Sequence, residues 1–308
     1  MRKWIPLIVL GSVLMGASAY WFYTRPYDAI RMVEMLPPDR SVHVYIDFGL
    51  LRSAGILDVL AGSKQMDDPG YKKFVDESGF DYRKDLDALS VAFRDGDVYY
   101  AARGRFNWTK FAAYAPSHGG SCDRFLCKTP GTEPGRDVSY YMPRSDVLAV
   151  ATSRTATAGD MVAPGSWQNP PYISPTVGVW VSAPPFAFTD LTKLPSGTRS
   201  FVSPLAQALG TTFSLGAAPA GGAFQLTMNV LTRTPDDATK LVKQLTEVTG
   251  LLVKMLAREK MQPSPSDLSG VLSSGRFESK ADQVTGTWPI SRAFVESLAS
   301  SVDLGKKK

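Results

Sequence analysis

Two stretches with the same period-two alternation, Val42-His-Val44-Tyr-Ile46 and Val177-Gly-Val179-Trp-Val181, constrain the fold of this chain more than any other feature. Such alternation puts one apolar face on a strand. The elements after each stretch are also alike. The first stretch leads into helical segments around 50–61 and 71–78. A hairpin comes next, Leu89–Phe93 with Val98–Arg103, and its Asp95-Gly96 is a strong turn signal between apolar runs. Asn107 then caps a helix carrying Phe111 and Tyr114, and Val138–Pro143 pairs with Val147–Thr152 ahead of a short helix near Ser153. The second stretch leads into a helix at Phe201–Leu209 and a hairpin of Thr212–Leu215 with Phe224–Leu231. Thr234 caps a helix that Pro235-Asp236-Asp237 opens and that runs to about Lys260. Val271–Phe277 and Val284–Trp288 form the last hairpin, and a helix carries Ile290, Phe294 and Leu298 inward.

Each half therefore reads strand, helix, hairpin, helix, hairpin, helix. The expected fold class is α+β: two similar antiparallel-sheet domains, each an extended ferredoxin-like (split βαβ) half with helices on one face. The first domain spans 41–163 and the second 176–302. Residues 164–175, with Pro164, Pro170, Pro171 and Pro175, form the linker. With 44% apolar and 20% charged residues, both halves can build an ordinary core.

Ahead of these domains, Arg2 and Lys3 precede an uncharged run from Trp4 to Phe22. As a helix, nineteen residues span about 28 Å, close to the hydrocarbon thickness of a bilayer. Ala17-Ser18-Ala19 has the form of a signal-peptidase site. Tyr20, Trp21 and Tyr23 followed by Arg25 instead suit the far membrane interface, so residues 1–23 read as an anchor or a signal segment. Both readings export the rest of the chain. The expectation is a single-pass protein of the inner membrane, N-terminus in the cytoplasm and bulk in the periplasm or outside, with 24–40 as a linker.

Export bears on the thiols. Cys122 and Cys127 lie in a Gly-rich loop after His118, and in an oxidising compartment they form a local disulfide. A zinc site from His118 and the two thiols lacks a fourth ligand, and no metal or other cofactor is expected. Lys plus Arg number 34 against 29 Asp plus Glu, for a net charge of +5. Arg2, Lys3 and the basic tail 303–308, with Lys306-Lys307-Lys308, hold five of those cations. The body between is neutral, which speaks against a nucleic-acid partner.

Signatures of P-loop, Rossmann, α/β-hydrolase and zinc-protease sites are absent. His43 falls on the strand face opposite Val42 and Val44 and reads as an outward-facing residue. Asp67, Asp68, Asp76, Glu77, Asp81, Asp85 and Asp87 interleave with cations and read as helix caps and a solvated face. The stripe Leu241, Leu245, Val248, Leu252 and Met255 reads as core, and exposure of it would favour binding. Leu36-Pro-Pro-Asp-Arg-Ser-Val-His-Val-Tyr-Ile-Asp47, behind a membrane segment, resembles the opening of a group of uncharacterised bacterial membrane-anchored envelope proteins. Gly79-Phe-Asp-Tyr82, Arg103-Gly-Arg-Phe106 and Asp267-Leu-Ser-Gly-Val-Leu272 are similar to segments of the same group. That resemblance implies a fold and a location and names no catalytic residue. The functional expectation is a non-enzymatic, membrane-anchored extracytoplasmic binding or structural module with a protein partner in the envelope. The alternatives are an envelope hydrolase using carboxylates of 67–87 with His43, and a binder of a hydrophobic ligand or lipid.

Overall fold

The computed structural model describes residues 27–38, 40–55, 57, 69–165, 178–190, 192, 196–217 and 224–297. Its strands are β1 (Val42–Asp47), β2 (Leu86–Arg94), β3 (Asp97–Gly104), β4 (Ser121–Asp123), β5 (Leu126–Pro130) and β6 (Asp137–Arg144), then β7 (Val147–Ser153), β8 (Val179–Ala183), β9 (Gly210–Ala217), β10 (Phe224–Leu231), β11 (Arg276–Lys280) and β12 (Gln283–Ile290). The helices are α1 (Ala29–Glu34), α2 (Phe48–Ser53), α3 (Pro69–Ser78), α4 (Tyr82–Asp85), α5 (Trp108–Ser117), α6 (Ser196–Val202), α7 (Pro235–Arg258) and α8 (Leu268–Ser273). The fold is α+β, as expected.

The strands form one antiparallel sheet of twelve, in the order β11-β12-β10-β9-β8-β1-β2-β3-β7-β6-β5-β4. The order reads the same outward from its middle. β1-β2-β3-β7-β6 on one side matches β8-β9-β10-β12-β11 on the other, which is the repeat of architecture seen in the sequence. Only the β4–β5 hairpin has no counterpart among the described residues. The halves do not close as two separate sheets. They join edge to edge, because β1 and β8 pair with Tyr45 opposite Trp180. Those rings stack at 5.9 Å, and both residues are buried.

The split βαβ reading is corrected. That unit keeps its first two strands parallel with a third between them, whereas β1 pairs directly and antiparallel with β2, His43 opposite Ala92. The edge of β1 that a third strand would take is occupied by β8. The hairpin at Asp95-Gly96 stands as expected, both residues having positive φ (49° and 85°) as a type I′ turn requires.

Helices on one face describe the second half only. There β10 alternates Leu226, Met228 and Val230 against Gln225, Thr227 and Asn229. The apolar set packs with Leu241 and Leu245 of α7. In the first half both faces are covered. Val147, Ala149 and Ala151 of β7 lie under α1, whose Met32 and Val33 are wholly buried, while Leu148 packs with Phe111 of α5 on the other side. Val147-Leu-Ala-Val-Ala151 is a continuous apolar run, the pattern of a strand buried on both faces. Asp28 caps α1 through the Arg31 N–H at 2.9 Å.

Three element assignments also shift. The expected strand from Val271 is divided between α8, capped by Asp267, and β11. The short helix near Ser153 is a 3-10 turn at Ala158–Met161. The cysteine loop is a hairpin, β4 with β5. No helix among the described residues is long and apolar enough to cross a membrane. Trp4–Phe22 lies outside them, as do Arg2, Lys3, Tyr20, Trp21, Tyr23, Arg25 and the greater part of the linker 164–175.

Candidate functional site

The β4–β5 hairpin is short and would be marginal by itself. Cys122 stands opposite Cys127 in its register, and the two sulfurs are bonded. Cys127 is fully buried and packs in the cluster of Phe111, Ala115 and Tyr140, so one leg of the bridge is fastened to the core. Gly120 enters the hairpin with its Cα against Lys128 O, and a Cβ there would come within 2.0 Å of that oxygen. The turn is Arg124-Phe125, with Arg124 at φ 52°. Phe125 is 77% exposed, the most exposed large apolar side chain among those described. Beside it a cleft of about 690 Å³ is lined by Arg124, Lys128, Tyr141, Met142, Pro143 and Asp160.

Replacing both cysteines, as Cys122→Ser with Cys127→Ala, is expected to cost about 2 kcal/mol, since the bridge closes only a short loop. Urea denaturation of the oxidised parent against the double variant measures it. No change in midpoint would show that the hairpin is held by its core contacts alone.

His118 follows α5. Its Nε2 lies 3.3 Å from Glu77 Oε2, its Nδ1 3.0 Å from Tyr114 O, and its ring stacks on Tyr114 at 3.9 Å. It therefore ties α5 to α3. Ser117 Oγ is 3.0 Å from Nδ1, but its proton is donated to Tyr114 O at 2.9 Å, so no nucleophile–base pair forms. The zinc ligand set is not assembled either, because both sulfurs are in the disulfide. Among the described residues no group of three His, Cys, Asp or Glu is placed to hold a metal ion.

Within the acidic run, Asp81 caps a helix and Asp85 pairs with a cation. Asp81 caps α4 through the Arg83 N–H (3.1 Å) and accepts from the Tyr71 hydroxyl (2.8 Å). Burial opposes its charge, yet Tyr71, the Arg83 N–H and Lys84 hold its carboxyl below the ordinary range. Asp85 accepts from the Asp81 N–H and pairs with Arg105 at 3.2 Å. Asp67 and Asp68 lie outside the described residues.

His43 is not outward-facing, a second correction. It is 1% exposed, and its Nε2 lies 3.2 Å from Pro37 O. The face opposite Val42 and Val44 is the one that α1 and the segment after it cover. Burial pushes the imidazole pKa down from 6.5 to about 4, against the Pro37 hydrogen bond, so His43 is neutral at pH 7.

The α7 stripe is core, as expected, over most of its length. Leu241 and Leu245 are buried, Val248 and Leu252 pack against the same cluster, and Met255 alone of the five is exposed, at 60%. Leu256 beside it is buried, so the covered face continues into the last turn of the helix, while Leu251, outside the stripe, is 59% exposed.

No family model matches this chain, and no curated protein matches it. Among solved structures, "Structure of crystal form I of TP0453" aligns with a TM-score of 0.46 and 13% identity, over 91% of this chain and 99% of that one. "Structure of crystal form III of TP0453" aligns with a TM-score of 0.48 and 14% identity, over 88% and 97%. Neither alignment carries a residue role to this chain.

Proposed function

We propose that this chain is a membrane-attached, extracytoplasmic binding module that engages a protein partner in the envelope without catalytic chemistry of its own. The observation that carries the reading is the distal part of α7. Leu251, Val253 and Met255 are exposed on a helix whose Leu241, Leu245, Val248 and Leu252 are packed, and Lys254 and Arg258 lie close by in sequence. Exposed apolar groups beside cations suit the core and rim of a protein interface. The disulfide supports export, because such bonds persist in oxidising compartments. Trp4–Phe22 supports attachment by its length and its lack of charge. Glu77, Asp81, Asp85 and His43 support a non-catalytic reading through what they already do, which is pairing, capping and core burial.

The test is cross-linking of the tagged full chain in its own membranes, comparing the parent with Leu251→Gln/Met255→Gln. Both positions are exposed, so the variant keeps its fold. Loss of two interface contacts is expected to cut the recovery of a cross-linked protein by at least about tenfold. Recovery of the same partners in the same yield from both chains would overturn the reading.

A further inference from the structure

We infer that the tip of the β4–β5 hairpin lies on the membrane surface, with Phe125 in the interfacial layer and Arg124 among anionic headgroups. The inference rests on the proposed membrane attachment and specifies which end of the fold meets the bilayer.

Its first support is where the chain enters the fold. Tyr27 is the first described residue, and two cations hold it: Arg103 donates to Tyr27 O, and the Arg144 guanidinium lies over the Tyr27 ring at 5.1 Å. The uncharged run ends at Phe22, five residues earlier, and five residues reach at most about 18 Å. If that run spans the bilayer, Tyr27 stands within about 18 Å of its surface.

Its second support is what shares that end of the sheet. Arg144 closes β6, and Met142 and Pro143 just before it line the cleft beside Phe125. β5 is the neighbour of β6, with Cys127 opposite Tyr140, so the turn at Arg124-Phe125 comes out next to the end of β6. Adjacent strands are about 4.8 Å apart, which places the tip and the chain entry a few strand widths from each other. Phe93 lies at the opposite end, by the Asp95-Gly96 turn.

The third support is the make-up of the tip. Phe125 is 77% exposed and belongs to none of the packed apolar clusters among the described residues. Its two strands are the only strands of the first half without a counterpart in the second among the described residues, and a disulfide braces them. An aromatic ring with cations beside it is the combination that membrane interfaces favour. Arg124 and Lys128 outnumber Asp123 on the hairpin, and a long cationic side chain can reach headgroup phosphates while its stem stays apolar.

The full chain would be reconstituted in vesicles of phosphatidylcholine and phosphatidylglycerol bearing a photoactivatable carbene precursor near the headgroup end of the acyl chain. Adducts would be located by peptide mass spectrometry. The expected result is labelling at 124–126, none at Phe93, and loss of the tip label in Phe125→Ser, which as an exposed substitution keeps the disulfide and the fold. Protein that stays with the vesicles through an alkaline wash but carries no label at the tip would overturn the inference and leave attachment standing. Cross-links from the tip to a second copy or to a protein, in place of lipid adducts, would overturn it likewise. Release of the protein by the alkaline wash would overturn attachment itself, and the inference with it.

Discussion

Trp180→Ala is expected to destabilise the whole described fold by about 3–5 kcal/mol, the usual cost of emptying a large buried aromatic site. Trp180 is 2% exposed and sits where β8 meets β1, stacked on Tyr45 in the same cluster as Met32, Val33 and Ala92. The residue belongs to the second half by sequence and to the first half's core by contact. Removing it empties the first half's core at the seam. Domains of this size commonly hold about 5–15 kcal/mol in total, so the variant should lose a large share of its stability. Trp180→Phe should cost far less, because it keeps a ring against Tyr45 and removes an indole N–H that meets no acceptor. Urea unfolding followed by far-ultraviolet circular dichroism and by fluorescence checks both points. A loss under about 1 kcal/mol, or two separate transitions in the parent, would refute the idea that the seam couples the halves.

Acidification is the second large effect. His43 is neutral in the fold, and its pKa falls from 6.5 to about 4 through burial. As pH falls, the unfolded chain takes up the proton first. The stabilisation is therefore complete above pH 6.5 and is lost progressively as pH drops to about 4, below which both states are protonated. A shift of that size amounts to about 3 kcal/mol across the window. His43→Gln keeps a donor that can reach Pro37 O and has no titration, so its stability should be nearly flat over the same interval. Denaturation midpoints at intervals between about pH 7 and about pH 4 measure the difference. Parallel curves for the parent and His43→Gln would assign acid sensitivity to other groups. Asp81 and Asp267, both held below the ordinary carboxylate range, lose their contribution only at lower pH.

Much of the strand content was legible because apolar alternation is local. β10 alternates along its length, and its faces are as that pattern demands. Caps were legible for the same reason: Asn107 accepts from the Lys110 N–H and Thr234 from the Asp237 N–H, each three residues on. The candidate site was half legible. The disulfide followed from two cysteines in a chain read from its sequence as exported, but its hairpin did not, because Ser121–Asp123 is too short and polar to carry a strand signal. Phe125 drew no attention in the sequence, since exposure is not a property of a single residue's neighbours along the chain.

Local pattern by itself determined that this chain alternates strands and helices twice over and where its turns and caps fall, and the reading as exported led to the pairing of its two cysteines. Only the tertiary structure decided that the two halves share one sheet, that His43 is buried, and that Leu251 and Met255 of α7 stay exposed. The physical reason is common to all three. The pairing of β1 with β8, the cover that α1 and Pro37 lay over His43, and the exposure of Leu251 and Met255 all depend on which element packs on which face, and a segment's own pattern does not state that. A strand's free edge or an apolar face states only that something must satisfy it, and the folded chain selects what does.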